Sequence, residues 1–401
     1  DLTGVPKITA REQALAIGRL GHRVMSRLTD FGIPTFALIN GAAMGGGLEL
    51  VLHCNYRTIS SGAAAIALPE CFLGLVPGWG GAFLLPNLIG PEKALQVIVT
   101  NPLAQNRMLK PQQVLDLGIA DAMFEPADFI EQSLAWAAGV VTGDITVSRA
   151  QVAHDESWDA AVEAVRSGID AQLHGAAPAP LRALDLVAAA RTTDAATGFA
   201  AEDESLADLI MSDQLRAGLY SFDLVQKRAK RPVGAPDKSL ARPITKVGVV
   251  GAGLMASQMA LLFLQRLQVP VVMTDLDQER VDKGVGYVHG EIDKLQAKGR
   301  INADKANRFK ALITGSTDKS AFADADFVIE AVFEDLKVKQ QVFAECEAVV
   351  SDTCVLATNT SSLSVTDMAA DLAHPERVVG FHFFNPVAVM PLLEIVRAEK
   401  T

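Results

Sequence analysis

A glycine-rich turn and a few titratable side chains carry the chemistry this sequence can support. Val247-Gly-Val-Val-Gly251-Ala-Gly253-Leu-Met-Ala256 spells G-x-G-x-x-A directly after a β-branched run and at the start of a helical pattern. In that context Gly251 makes the tight turn, Gly253 lets backbone approach a pyrophosphate, and Ala256 fills a close helix–strand contact. The first amides of the helix then face the phosphates. Asp275 closes the next β-branched run, Val271-Val-Met-Thr274. A carboxylate there accepts both ribose hydroxyls and repels a 2′-phosphate, so NAD is expected over NADP, with Arg280 leaving NADP open. Of the seven histidines, His382 stands between strand-like segments with the polar Asn385 just beyond. Imidazole can take a hydroxyl proton near neutral pH while hydride leaves carbon, which is what oxidising a secondary alcohol requires. Nearer the N-terminus, Glu49 lies among Leu48, Leu50, Val51 and Leu52, where an idle carboxylate is costly.

The elements that must hold these residues read as α/β layers. Ile8 to Leu28 has apolar residues at three- and four-residue steps and predicts an amphipathic helix. Phe36 to Asn40 predicts a short buried strand, Gly41 to Gly47 a tight loop, and Leu48 to Cys54 the first turns of a helix. Residues 146–230 are Ala-rich and helical by pattern, broken near His174 to Pro180. Residues 227–243 carry six basic residues, one acidic residue and three prolines, the composition of a solvated linker. Beyond it, strand-like and helical segments alternate from Val247 to Phe381, predicting a parallel, doubly wound sheet. The expected organisation is residues 1–230, a linker over 231–243, and a second domain over 244–401.

Bulk properties narrow the class. The 401 residues suffice for two or three domains, and 49% hydrophobic with 21% charged residues excludes a disordered or fibrous chain. A net charge of −11 supplies no general attraction for nucleic acid or anionic membrane. Cys54, Cys71, Cys346 and Cys354 show no metal-ligand spacing, so no metal is expected and a reducing compartment is. That compartment is expected to be the cytoplasm, with an organellar matrix open. No apolar run reaches the ~18 residues of a membrane span. Asp1 and Thr401 both read as cut ends.

Thr358-Asn-Thr-Ser-Ser362, Gly380-Phe-His-Phe-Phe-Asn-Pro386 and Met390-Pro-Leu-Leu-Glu394 resemble the 3-hydroxyacyl-CoA dehydrogenase family in order and spacing. The resemblance implies His382 as base, Glu394 as the carboxylate behind its ring, Ser361 and Asn385 near the substrate, and Glu330 and Lys337 near the cofactor. Ala256 stands where that family usually has Gly.

Ile39-Asn-Gly-Ala-Ala-Met-Gly-Gly-Gly47-Leu-Glu49 and Leu68-Pro-Glu70 through Gly78-Trp-Gly-Gly81 resemble the enoyl-CoA hydratase, or crotonase, superfamily. Adding water across a 2-enoyl thioester builds negative charge on the thioester oxygen, which amides at a helix start can receive. The resemblance assigns one such donor to Gly46 and places its partner upstream of Asp1. It makes Gly78 the start of a helix whose dipole assists, gives Glu49 the water and Glu70 the proton at C2. Retention of both glutamates points to hydration, with isomerisation as a side activity. The two motif sets in this order resemble the large multifunctional subunit of fatty acid β-oxidation. The resemblance implies a spiral hydratase domain with a helical tail before a Rossmann-type domain, NAD as cofactor, acyl-CoA thioesters as substrates, and a thiolase subunit in an α2β2-type hetero-oligomer. The competing readings are a non-catalytic acyl-CoA- and NAD-binding scaffold for that thiolase, and a dehydrogenase carrying an inactive hydratase module.

Overall fold

A computed structural model describes residues 4–230, 232 and 234–401. Asp1–Val233 and Gly234–Thr401 form two compact units, each around its own core. Arg231 and Val233, inside the expected linker, lie outside the described residues.

In the first unit the strands are β1 (Phe36–Ile39), β2 (Ala43–Met44), β3 (Tyr56–Ser60), β4 (Ile66–Ala67) and β5 (Ala122–Phe124). They make a parallel sheet in the order β1-β3-β5 and a separate parallel pair, β2-β4. Because β2 and β4 run the same way, the segments that leave them start at the same end, one leading to Glu49 and the other to Glu70. The helix after β2 runs Gly46–Leu52, two residues earlier than its apolar run predicts. Gly45, at φ 54°, turns the chain where a side chain would be strained, and so starts the helix at Gly46. That helix buries Leu48 and Leu52 one turn apart, with Glu49 beside them.

The N-terminal helix is shorter than its periodicity predicts, Arg11–Met25. It buries Ala14, Gly18 and His22, a stripe four residues apart, against the helix Ala195–Ile210. At Gly18 a Cβ would lie 2.6 Å from the Asp203 carboxylate, so glycine permits the close approach. The Ala-rich region forms the helices Glu156–Leu173, Pro178–Ala189, Ala195–Ile210 and Asp213–Asp223. Asp155, Asp194 and Ser212 cap three of them by accepting from early amides. Among the described residues no helix is long and apolar enough to cross a membrane.

The second unit is built on β6 (Val247–Val250), β7 (Val271–Thr274), β8 (Ile313–Ser316), β9 (Phe327–Glu330), β10 (Val355–Thr358), β11 (Val378–Phe383) and β12 (Leu393–Arg397), in the order β12-β11-β10-β9-β6-β7-β8. β6 and β7 are buried throughout, as central strands covered on both faces must be. Two cores, one around Met259 and Phe309 and another around Phe322 and Phe343, fill the layers. The sheet departs from the all-parallel expectation at one edge, where β12 pairs antiparallel with β11. β8 was not legible in advance, since Ile-Thr-Gly-Ser buries only Ile313. The chain runs outward from β6 to β8 and resumes on β6's other side at β9, leaving a crevice at the strand ends of the kind that receives ligands in doubly wound folds.

Candidate functional sites

The β2-β4 pair brings the two glutamates of the first unit together. Gly45 donates to the Ala67 carbonyl at 3.0 Å, joining the turn before Glu49 to the strand before Glu70. A Cβ at Gly45 would lie 2.6 Å from Glu70 Oε1, so this carboxyl rests against the glycine turn. Both glutamates line a cavity of about 710 Å³ with Gly45, Gly46, Gly78 and Trp79. Its remaining wall is largely apolar, including Ile17, Phe72, Leu75, Met108, Leu206 and Phe222. The indole of Trp79 covers Gly46, whose Cβ would meet its ring at 2.7 Å.

Glu49 is 2% exposed and accepts from the amides of Trp79 (2.7 Å) and Gly81 (3.0 Å). Burial pushes its carboxyl up to about 7, helped by the negative charge of Glu202; the two amides and His22 pull the other way. Burial and then the Glu49 charge hold Glu70 well above the usual carboxylate range. Glu70 Oε2 is buried and has no hydrogen-bond partner among the described residues. Gly78 does not begin a helix: that expectation is corrected, because the helix starts at Gly81 behind the left-handed Gly80 and leaves Gly78 in the preceding turn. Sequence reading also missed His22, Glu202 and Asp203. His22 Nε2 lies 3.0 Å from Glu202 and Nδ1 2.8 Å from Asp203.

At the crevice of the second unit, Gly251 has φ 104°, and a Cβ there would lie 2.9 Å from the Ala331 carbonyl oxygen. At Gly253 a Cβ would meet nothing within 4 Å, the open approach that a pyrophosphate needs. Ala256 is fully buried in the helix Leu254–Arg266. Asp275 accepts from the amides of Ala252 (2.8 Å) and Leu276 (2.7 Å), tying the end of β7 to the glycine turn. These residues fit a dinucleotide. Gly251→Ala is expected to weaken the unit by about 1–3 kcal/mol through backbone strain and to weaken NAD binding with it; equilibrium unfolding and NAD titration read the two effects.

His382 on β11 and Glu394 on β12 are directly opposed partners across the antiparallel pair, with Nδ1 2.8 Å from Glu394 Oε2. Twelve residues of hairpin therefore suffice to oppose ring and carboxylate. Asn359, beyond β10, accepts from the Phe383 amide at 2.9 Å and holds that strand end. Gln258, on the helix after the glycine turn, donates to Asn385 at 3.4 Å and accepts from Val387 at 2.8 Å.

The expected positions of Glu330 and Lys337 at the cofactor are corrected. Glu330 is 1% exposed, with both carboxylate oxygens 2.8 Å from the equally buried Lys339, and it also accepts from Thr358. Its carboxylate is spent inside the fold. Lys337 is exposed on the helix Leu336–Glu347. The carboxylate that reaches the surface is Glu334, 3.2 Å from the buried Lys339, and it accepts from Thr360 (2.5 Å) and from the Ser361 amide (3.1 Å). Ser361 is thus held by a residue that the sequence reading passed over. Lys339→Met would leave Glu330 buried and unpaired, and is expected to cost about 3 kcal/mol of stability in denaturant unfolding.

One cavity edged by two buried carboxyls and one crevice with a glycine turn and a His–Glu pair define a crotonase-type segment followed by a Rossmann-type dinucleotide-binding domain. Residues 7–179 match the family described as enoyl-CoA hydratase/isomerase, and residues 246–401 match the 3-hydroxyacyl-CoA dehydrogenase NAD-binding domain. The hydratase-type match lies within the first unit and the dehydrogenase-type match within the second, so each unit carries a segment of one of these families. It is 34% identical over 389 residues to the fatty acid oxidation complex subunit alpha of Idiomarina loihiensis, covering 94% of this chain and 53% of that protein. It is also 34% identical over 374 residues to the peroxisomal fatty acid beta-oxidation multifunctional protein MFP2 of Arabidopsis thaliana, covering 92% and 50%. Among solved structures, 3-hydroxybutyryl-CoA dehydrogenase of Escherichia coli is similar at 35% identity and a TM-score of 0.38, over 39% of this chain and 33% of that one. The chain spans about half the length of the curated relatives it matches.

Proposed function

We propose that this chain hydrates 2-enoyl-CoA to 3-hydroxyacyl-CoA and, with NAD+, oxidises that product to 3-ketoacyl-CoA in fatty acid β-oxidation. The observation that carries the first step is the buried, unpartnered Glu70 oxygen beside Glu49 in an apolar cavity. A native fold rarely leaves such an oxygen without a partner, and a substrate proton is the partner it is built for. Glu49, ionised and fixed by two amides, takes a proton from water as the water attacks C3; Glu70, protonated, delivers one to C2. Gly46, at the first position of its helix, lines the cavity, and its amide is the donor assigned to the thioester oxygen as that oxygen gains charge.

For the second step, Glu394 accepts from His382 Nδ1, so Nε2 keeps the lone pair and removes the hydroxyl proton. The imidazolium that forms is stabilised by Glu394 across the strand pair. Gly251, Gly253, Ala256 and Asp275 would hold NAD, which when bound supplies the hydride acceptor. Ser361 and Asn385 orient the substrate beside His382. A thiolase consumes the product, and we propose a thiolase subunit as partner, consistent with the subunit name carried by the Idiomarina loihiensis relative. Four unpaired cysteines fit a reducing compartment such as the cytoplasm.

The test follows NADH formation from 2-enoyl-CoA and NAD+ with full-length protein. Wild type should form NADH, Glu70→Ala should do so only when supplied with 3-hydroxyacyl-CoA, and His382→Ala should stop at 3-hydroxyacyl-CoA. A wild type that binds both ligands and turns over neither would establish the scaffold reading instead.

A further inference from the structure

The turn after Gly78 is gripped from two sides. Glu49, from the helix Gly46–Leu52, accepts from the amides of Trp79 and Gly81. Glu202, from a helix far along the chain, takes the alternate pair, Gly80 at 2.6 Å and Phe83 at 2.8 Å. We propose that Glu202, with His22 behind it, is a positioning residue for the hydration step, fixing the Gly78–Phe83 turn and setting the field in which Glu49 exchanges its proton. This rests on the reading of Glu49 as a proton-handling group.

Glu202 is 1% exposed and is not among the cavity walls, so it acts through the turn and through Glu49. The turn begins a helix, Gly81–Ile89, whose first amides have no partner within the helix. Two ionised carboxylates satisfy the amides of this turn in alternation: losing Glu49 frees those of Trp79 and Gly81, and losing Glu202 frees that of Gly80 and leaves Phe83 with only the Gly80 carbonyl at 3.2 Å. An ionised Glu202 this deep requires a cation, and His22 is placed to be one. Both of its ring nitrogens face carboxylates, which accept only, so both carry protons. Burial opposes that charge, but the bonds and charges of Glu202 and Asp203 outweigh it and hold the imidazole above its ordinary proton affinity. Phe199 stacks on the ring at 4.5 Å, closing it from solvent.

The titratable and charged groups facing this cluster are Glu49 and Glu70 from the cavity, His53 beneath Trp79, Asp203, and Arg19 and Glu204 beyond it. Of these, burial pushes His53 toward its neutral form, and its Nε2 binds the Trp79 carbonyl at 2.9 Å, a third hold on the same turn. The signs at Glu49 are opposed: the negative Glu202 favours its protonated form, and the positive His22 favours its ionised form.

The experiment is the pH profile of 2-enoyl-CoA hydration by the full-length protein in wild type, Glu202→Gln, His22→Gln and Glu49→Gln forms. Glu202→Gln should move the acid limb down by about one pH unit and lower kcat about tenfold with little change in KM. His22→Gln, which retains a donor toward Glu202 and drops the charge, should move the limb up. A purely structural role would lower kcat in both variants and move neither limb, and that result overturns the proposal. Should Glu202→Gln fail to fold, His22→Gln decides by the same criterion. Glu49→Gln separates the two readings: wild-type hydration by it removes the role of Glu49, whereas an inactive Glu49→Gln beside unmoved limbs in the other two removes only the positioning role.

Discussion

His382→Ala lowers oxidation of 3-hydroxyacyl-CoA by about 10³-fold or more, the range of a positioned general base, and leaves hydration of 2-enoyl-CoA at its wild-type rate. The site makes this loss large because, among the described residues, the other polar groups at this strand end are the amides Asn359 and Asn385, the hydroxyl Ser361, and two carboxylates already engaged, Glu394 with the ring and Glu334 with Thr360 and Ser361. Glu394→Gln is expected to cost about 10²–10⁴-fold, since its NH2 can donate to Nδ1 and trap the tautomer whose Nε2 carries the proton, and its lost charge no longer steadies the imidazolium. Both losses together are the check. Initial rates of NADH formation from 3-hydroxyacyl-CoA, with NAD affinity measured separately, should show both variants binding NAD as wild type does. A Glu394→Gln form that oxidises 3-hydroxyacyl-CoA at the wild-type rate would remove the carboxylate from the mechanism.

How far the sequence announces these sites depends on how local each arrangement is. The glycine turn at Gly251 is legible because a tight turn, an open approach and a buried contact fall within six residues of one another, and each restricts residue type. His382 and Glu394 are legible only through motif resemblance, since nothing in the spacing shows that β11 and β12 pair antiparallel; the register that opposes them is set by a hairpin whose return strand is short and exposed. Glu330 was misplaced for a specific reason. In Ile-Glu-Ala-Val-Phe-Glu-Asp-Leu-Lys-Val-Lys a strand ends and a helix begins, so five charged residues change facing within eleven, and burial selects Glu330 and Lys339 for the interior while Glu334 reaches Ser361. His22 and Glu202 were invisible for the opposite reason. They are 180 residues apart, joined only by helix packing in a region whose composition speaks of nothing but packing.

Glu70→Ala lowers hydration by about 10²–10⁴-fold, and the pH profile of the wild-type enzyme shows why both glutamates are needed. Folding raises the proton affinity of each, so each holds its proton over a pH range where a free glutamate would have lost it. Water is activated only by ionised Glu49, so the rate rises with pH through about 7. C2 receives its proton only from protonated Glu70, so the rate falls again at higher pH as that proton is lost. One proton shared between two neighbouring carboxyls is the active form, and the two limbs belong to the pair, not to either residue alone. Glu70→Gln should accordingly remove the alkaline limb along with most of the rate and leave the acid limb near 7, because Glu70 is already neutral where Glu49 ionises. Stopped or steady-state hydration measured from pH 5 to 10 reads both limbs. An acid limb that moves down by about a pH unit or more in Glu70→Gln would mean that Glu70 is ionised beside Glu49 in the resting site, and the shared-proton mechanism would have to be given up even if the rate were lost.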